Sequence, residues 1–337
     1  MPLDLEALGN RWADRPAVIF PSDALSFAGL AERVLACARD LAGHGVSAGD
    51  RIGLVCGLDA DTVVSILAAQ ELGCVLLPLG ADAPSAARER VLATFRPAWV
   101  VEGGEPSAVG SSAVTSGGPE VLALTSSGST GAPKLALVTA SQLRARADLY
   151  IRRCRLSSDD RTLMIYPPHH AGGMHALLVS LSVGSALVFP ASAHPRTVVR
   201  TCAAQGVTCL PGPATLFELL VRHRSNDWPS LPCLRLARSG TANLPLETHR
   251  AFTEGFQIPL WHSYGASEAG PICVNRSGAA HDGRLALGAP LAGVEVRVCD
   301  EHGDDHVFER ERHAGCEHAA ERDGERPGQR RDRPGSH

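Results

Sequence analysis

Two short apolar runs separated by a helix-length segment constrain the fold of this chain most. Residues 51–56 read RIGLVC and residues 74–79 read CVLLPL, with a helical pattern over 61–72 between them. A strand with no polar face is covered on both sides, and parallel neighbours need a crossover of helix length. The alternation recurs. Phe27, Leu30, Val34, Leu35, Ala38 and Leu41 lie at helical spacing within 26–44, which stops at Gly43 and Gly45. A helix over 84–95 precedes a short strand beginning at 99–101, and residues 102–120, rich in Gly, Ser and Pro, read as a loop leading to a strand at 121–124. Beyond it the pattern predicts helices at 141–153, 174–183, 198–205 and 213–222 and strands at 162–167, 185–189 and 207–210. The expected fold class is α/β: layered α/β/α lobes with largely parallel sheets, the second lobe packed against the first.

Length and composition narrow the function. A chain of 337 residues holds two domains or one large one, and 44% hydrophobic with 20% charged residues is ordinary for a globular enzyme. A formal net charge of −4 gives no basic excess for nucleic acid or anionic membrane. Apolar runs fall short of a membrane span, and residues 1–15 do not read as a signal peptide. The ten cysteines show no CxxC pair, and most sit in apolar contexts such as LVCGL, so reduced thiols and a cytoplasmic location are expected.

The chemistry begins at LTSSGSTGAPK, residues 124–134. Gly128 and Gly131 allow the backbone to approach a ligand closely, and Thr125, Ser126, Ser127, Ser129 and Thr130 supply hydroxyls. Lys134 places a cation where phosphate charge would sit. A flexible Ser/Gly linker is the competing reading, but a linker does not usually abut a buried strand and end in Pro-Lys. The string lacks the GxxxxGK[ST] pattern of a Walker loop.

It resembles the signature loop TSG[ST]TGxPKG of the adenylate-forming (AMP-binding) superfamily, acyl-CoA synthetase-like, with Leu135 where the family usually has Gly. Phe27-Ala28-Gly29-Leu30 and AAQELGCVLLPL are similar to scaffold motifs of the same family. Three further motifs follow in family order. YPPHHAGGMH, residues 166–175, resembles "PLxHxxG", with His170 at the mouth of the acyl pocket. A metal reading of His169, His170 and His175 is disfavoured because no i, i+4 pair is present and Gly172-Gly173 is expected to break the helix. A structural turn role remains open for His169 and His175. LRLARSGTANLP is similar to "LRxxxSGGAPLP", which sets Gly240 and Thr241 along the adenine and acyl pocket. Alone, it reads equally as strand, turn and a helix opened by Pro245. HSYGASEAG resembles "xxYGxTE". There Tyr264 stacks on adenine, Gly265 allows close approach, Ser267 donates to the α-phosphate and Glu268 holds the metal, Mg²⁺.

The resemblance implies an ATP-dependent acid–thiol ligase. A carboxylate attacks the α-phosphate of ATP, pyrophosphate leaves, and a thiol of coenzyme A or of carrier-protein pantetheine takes the acyl group. Lys134, Ser267, Glu268 and His170 are the expected catalytic residues. Family members that activate α-amino acids carry an Asp for the ammonium, and none occurs between Tyr166 and Pro190. The expected substrate is therefore a carboxylic acid without an α-amino group.

The resemblance runs from residue 26 to 303, where 288–303 follows the strands entering a small β-barrel, with an exposed edge at 294–298. Residues 304–337 are nearly devoid of aliphatic side chains and match no family feature, so 1–303 is expected as the adenylation domain and 304–337 as a disordered or frameshifted tail. The expected consequence is impaired thioester synthesis. A ligase that loads a carrier protein with a C-terminal domain supplied in trans, and a non-catalytic nucleotide-binding remnant, are the alternatives.

Overall fold

The computed structural model describes residues 3–109, 118–126 and 134–299. Asp4 caps α1 (Leu5–Trp12), which leads into β1 (Pro16–Ile19) and β2 (Ala24–Ser26). Ser26 accepts from the Gly29 amide and so starts α2 (Phe27–Gly43). The alternation continues through β3 (Arg51–Cys56), α3 (Ala60–Glu71), β4 (Val75–Gly80), α4 (Ser85–Phe95) and β5 (Trp99–Glu102). Then come β6 (Glu105–Ala108), β7 (Glu120–Ser126), β8 (Lys134–Thr139) and α5 (Ala140–Cys154). Further along lie β9 (Arg161–Leu163), α6 (Ala171–Ser182), β10 (Ala186–Val188), α7 (Pro195–Ala204), β11 (Cys209–Pro213) and α8 (Ala214–Arg222). The remainder is β12 (Leu236–Gly240), α9 (Leu246–Phe256), β13 (Leu260–Ala266), β14 (Gly270–Asn275), β15 (Ala280–His281), β16 (Arg284–Leu285) and β17 (Ala289–Pro290).

Among the described residues the strands form two large sheets. One runs β17-β14-β13-β12-β11-β9-β10-β1-β2, parallel from β13 to β1 and antiparallel at its edges. The other runs β6-β5-β3-β4-β7-β8, with β5 to β7 parallel. β15 and β16 pair as a separate ribbon. The fold is thus mixed α/β with mostly parallel sheets, and no strands close into a barrel among the described residues.

The apolar runs explain the layering. In β4, Val75, Leu77 and Leu79 pack with Phe95 of α4, while Leu76 on the other face joins the core beneath α2, α3 and α6. That core also takes Val18 of β1 and Leu187 of β10, so the two sheets share one helical layer. The outer face of the larger sheet is covered by α7, α8 and α9 through Val198, Phe217 and Phe252. All these elements lie in the unit Met1–Val294; the chain's second unit is Glu295–His337.

Several local expectations change. Residues 102–120 include β6, which turns at Gly103 and Gly104 to pair with β5. Strand β8 was not anticipated; it is an edge strand with only Val138 fully buried, so its pattern is weak. Gly172 and Gly173 do not break the helix. They lie in the first turn of α6, where a Cβ on Gly173 would meet the Pro167 carbonyl oxygen at 2.2 Å. Residues 294–298 form no strand, and Val296 and Val298 are exposed by 46% and 52%. Nine of the ten cysteines are described and all nine are free thiols.

Candidate active site

The candidate residues gather at strand ends. Thr125 and Ser126 close β7, and Lys134 opens β8 directly opposite Ser126, so the signature loop joins the two arms of a hairpin. Lys134 and Thr125 are exposed. Gly128, Ser129, Thr130 and Gly131 lie outside the described residues.

In the larger sheet, the segment after β9, the end of β12 and the end of β13 all emerge at the C-terminal edge of parallel strands. Open α/β sheets bind ligands at that edge. The buried Tyr166 hydroxyl donates to the Gly240 carbonyl at 3.3 Å, tying the histidine turn to the β12 end. Thr241 follows with φ 67°, a left-handed backbone that β-branched residues rarely adopt. His170 is exposed at the N-terminal boundary of α6. His169 is half-buried; a Cβ on Gly80, at the end of β4, would stand 3.1 Å from its ring. Burial first, then His170, pushes the His169 imidazole below its ordinary value.

Tyr264 presents its ring to solvent, 47% exposed. Gly265 stands where a Cβ would meet the Gly270 carbonyl oxygen at 2.5 Å, so the bulge between β13 and β14 requires glycine there. The Ser267–Glu268 turn is pinned from beneath. The buried Arg146 of α5 donates to the Ser267 carbonyl at 3.2 Å and to the Glu268 carbonyl at 2.6 Å. Its aliphatic stem lies so close that Gly270, at φ +80°, has no room for a side chain. The Glu268 carboxylate is exposed and forms no salt bridge among the described residues, though it feels the charge of Arg146, and it is open to a hard divalent ion. The described residues contain no cluster of three or more His, Cys, Asp or Glu able to hold a metal unaided.

Arg146 escaped the sequence reading because RARADLYIRRC looks like a solvated helix face. Arg238 escaped it too. It is a cation inside a strand, on the face shared by Leu236 and Gly240, and that alternation was the available signal.

Fold and strand-end placement define a mixed α/β protein whose candidate site lies at the C-terminal edge of parallel strands. The chain belongs to the AMP-binding enzyme family, which matches residues 5–121 and 120–312. It is 34% identical over 151 residues to an acyl-CoA synthetase of Alternaria alternata, covering 44% of this chain and 26% of that protein. It is 26% identical over 300 residues to the 2-succinylbenzoate–CoA ligase of Salmonella typhimurium, covering 85% and 62%. The chain therefore spans less than two thirds of either relative. The inhibitor-bound N-terminal domain of FACL13 from Mycobacterium tuberculosis superposes with a TM-score of 0.79 at 18% identity, over 90% of this chain and 85% of that one. At that identity the likeness concerns the fold.

Proposed function

We propose that this chain binds ATP with Mg²⁺ and activates a carboxylic acid as its acyl-adenylate for transfer to a thiol, with residues 1–303 as the adenylation domain. The observation that carries this reading is the turn after β13. It offers an exposed aromatic face at Tyr264 and an exposed carboxylate at Glu268, on a turn pinned by a buried arginine beside the ends of parallel strands.

Each residue has a chemical part. Tyr264 supplies a stacking surface for adenine. Lys134 draws phosphate charge, and the Ser267 hydroxyl donates to the α-phosphate as the acid's carboxylate approaches. Glu268 would hold Mg²⁺, which when bound would supply positive charge to the phosphates. His170, Gly240 and Thr241 border the acyl end, Gly240 held there through Tyr166. Arg146 and Arg238, the charges that act on the neutral His175, are cations and not the anion an ammonium would need, which supports an acid without an α-ammonium group. Coenzyme A is the favoured acceptor, in line with the relatives' names, and carrier-protein pantetheine the second. Free thiols fit a reducing, cytoplasmic setting.

The test is pyrophosphate release from ATP and Mg²⁺ with a pool of carboxylic acids. Release should fall about 100-fold in Lys134→Ala and in Glu268→Ala. Release indifferent to both substitutions would place the chemistry elsewhere.

A further inference from the structure

Two arginines three residues apart meet opposite fates. Arg235, just before β12, reaches Asp160 with Nε and Nη2, each at 2.8 Å, and Asp160 is 4% exposed. That is a two-pronged pair with both charges answered. Arg238, inside β12, has no carboxylate partner among the described residues. Its Nη1 donates to the Ser263 hydroxyl at 3.1 Å, its guanidinium carbon lies 4.6 Å from the centre of the Tyr150 ring, and its Nε is sealed from solvent without a partner.

The described residues around it add no negative charge. Burial pushes the Tyr150 and Tyr166 hydroxyls up, so both are neutral at neutral pH. Burial, then Arg238 and Arg146, pushes His175 down to about 3, and its Nε2 is sealed and unpartnered. Arg146 cannot help, since it is itself a cation and is engaged with the Ser267 and Glu268 carbonyls. Charges drawn out of water are normally paired, and the half-buried Arg238 guanidinium meets no opposite charge among the described residues. The arrangement is explained if the counter-ion arrives with a ligand.

A void of about 20 Å³ lies beside it, bounded by Arg238 and Tyr150 and by the apolar side chains of Leu156, Val179 and Leu236. That is room for about one water molecule, so a carboxylate reaches the guanidinium only with movement of the side chains around it. Arg238 shares its strand face with Gly240, two residues on, and the Cβ position of Gly240 lies 3.9 Å from Arg238 Nη1. The unanswered cation therefore lies at the acyl end of the site.

We propose that Arg238 receives a second carboxylate carried by the acid to be activated, so that the substrate class is the short dicarboxylic acids. This rests on the acid-activating reading above, one carboxylate reacting while the other is held. Arg238 acts here as a specificity residue, forming a forked pair that a mono-acid cannot complete.

The test is calorimetric and needs no turnover. The full chain, saturated with a non-hydrolysable ATP analogue and Mg²⁺, is titrated with matched pairs: succinate against butyrate, glutarate against valerate, adipate against hexanoate. The best dicarboxylate should bind at least about 30-fold more tightly than its mono-acid partner, in keeping with a charge-assisted pair. Arg238→Met should erase that preference, with Arg238→Gln as the second variant if the first does not fold. Ser263→Ala removes the hydroxyl contact but keeps the charge, and should retain the preference. Mono-acids binding as well as diacids, a preference surviving Arg238→Met, or no acid binding to a chain that holds the ATP analogue would each overturn the proposal. Failure to bind the analogue counts against the nucleotide reading instead, and titration of the acids alone still decides the role of Arg238.

Discussion

Thr241 holds a backbone conformation suited to glycine, φ 67°, and its hydroxyl meets Tyr166. Left-handed geometry at a β-branched residue costs about 1–3 kcal/mol, partly returned on substitution because glycine loses more entropy on folding. Thr241→Gly should raise stability by about 1 kcal/mol in urea melts; a loss of that size would show that the hydroxyl contact outweighs the strain. His175 provides a second test. Its folded-state value, about 3, lies below the ordinary 6.5, so between those limits the unfolded chain binds a proton that the native chain does not. Acid therefore favours unfolding, by up to about 1.4 kcal/mol per pH unit. His175→Gln should flatten the fall in urea midpoint between pH 6.5 and 4.5; an unchanged slope would contradict the burial argument. Of these residues the sequence exposed Thr241, as a departure from a glycine motif. It did not expose the state of His175, because burial depends on α5 and β12, remote in the chain.

At the scale of elements, the start of α6 and the middle of α5 position the site. Gly173→Ala would drive a methyl into the carbonyls of Pro167 and Tyr166, at 2.2 and 2.5 Å, where backbone must yield. The expected loss is about 3 kcal/mol with displacement of the histidine turn, read as a lowered melting temperature and altered His170 chemical shifts. Arg146→Ala leaves the Ser267 and Glu268 carbonyls without their donor, and should lower pyrophosphate release about 10- to 100-fold, with Arg146→Lys partly restoring it. A variant that keeps full release would make Arg146 a packing residue alone. Helices and inner strands were legible from apolar periodicity, since burial writes it. β8 was not, because an edge strand has one neighbour and a mixed face. The expected break at Gly172-Gly173 failed because glycine's intrinsic helix cost, about 1 kcal/mol, is smaller than the clash that any larger residue brings at Gly173.

At the scale of the molecule, the two sheets share α2, α3 and α6 through one apolar core. Neither can expose its inner face alone, so calorimetry should show one cooperative transition for the sheet-bearing unit; two resolved transitions would mean that the lobes unfold separately. The layered α/β class was legible because parallel sheets demand covered strands. The shared layer was not, since no local pattern says which sheet a helix face meets.

One uninterrupted run joins two ends of the candidate site. From Lys134 the chain follows β8, passes the capping box of Thr139 and Gln142, and enters α5 as far as Arg146. Strand and helix meet there without a spacer. Adding or deleting one residue inside α5 ahead of Arg146 would rotate the arginine by about 100° around the helix, away from the turn it pins. Substitutions along this stretch can be absorbed one at a time, but a change of length cannot. In evolutionary terms it is a ruler, and a library of single-codon insertions and deletions should leave it almost empty among functional survivors.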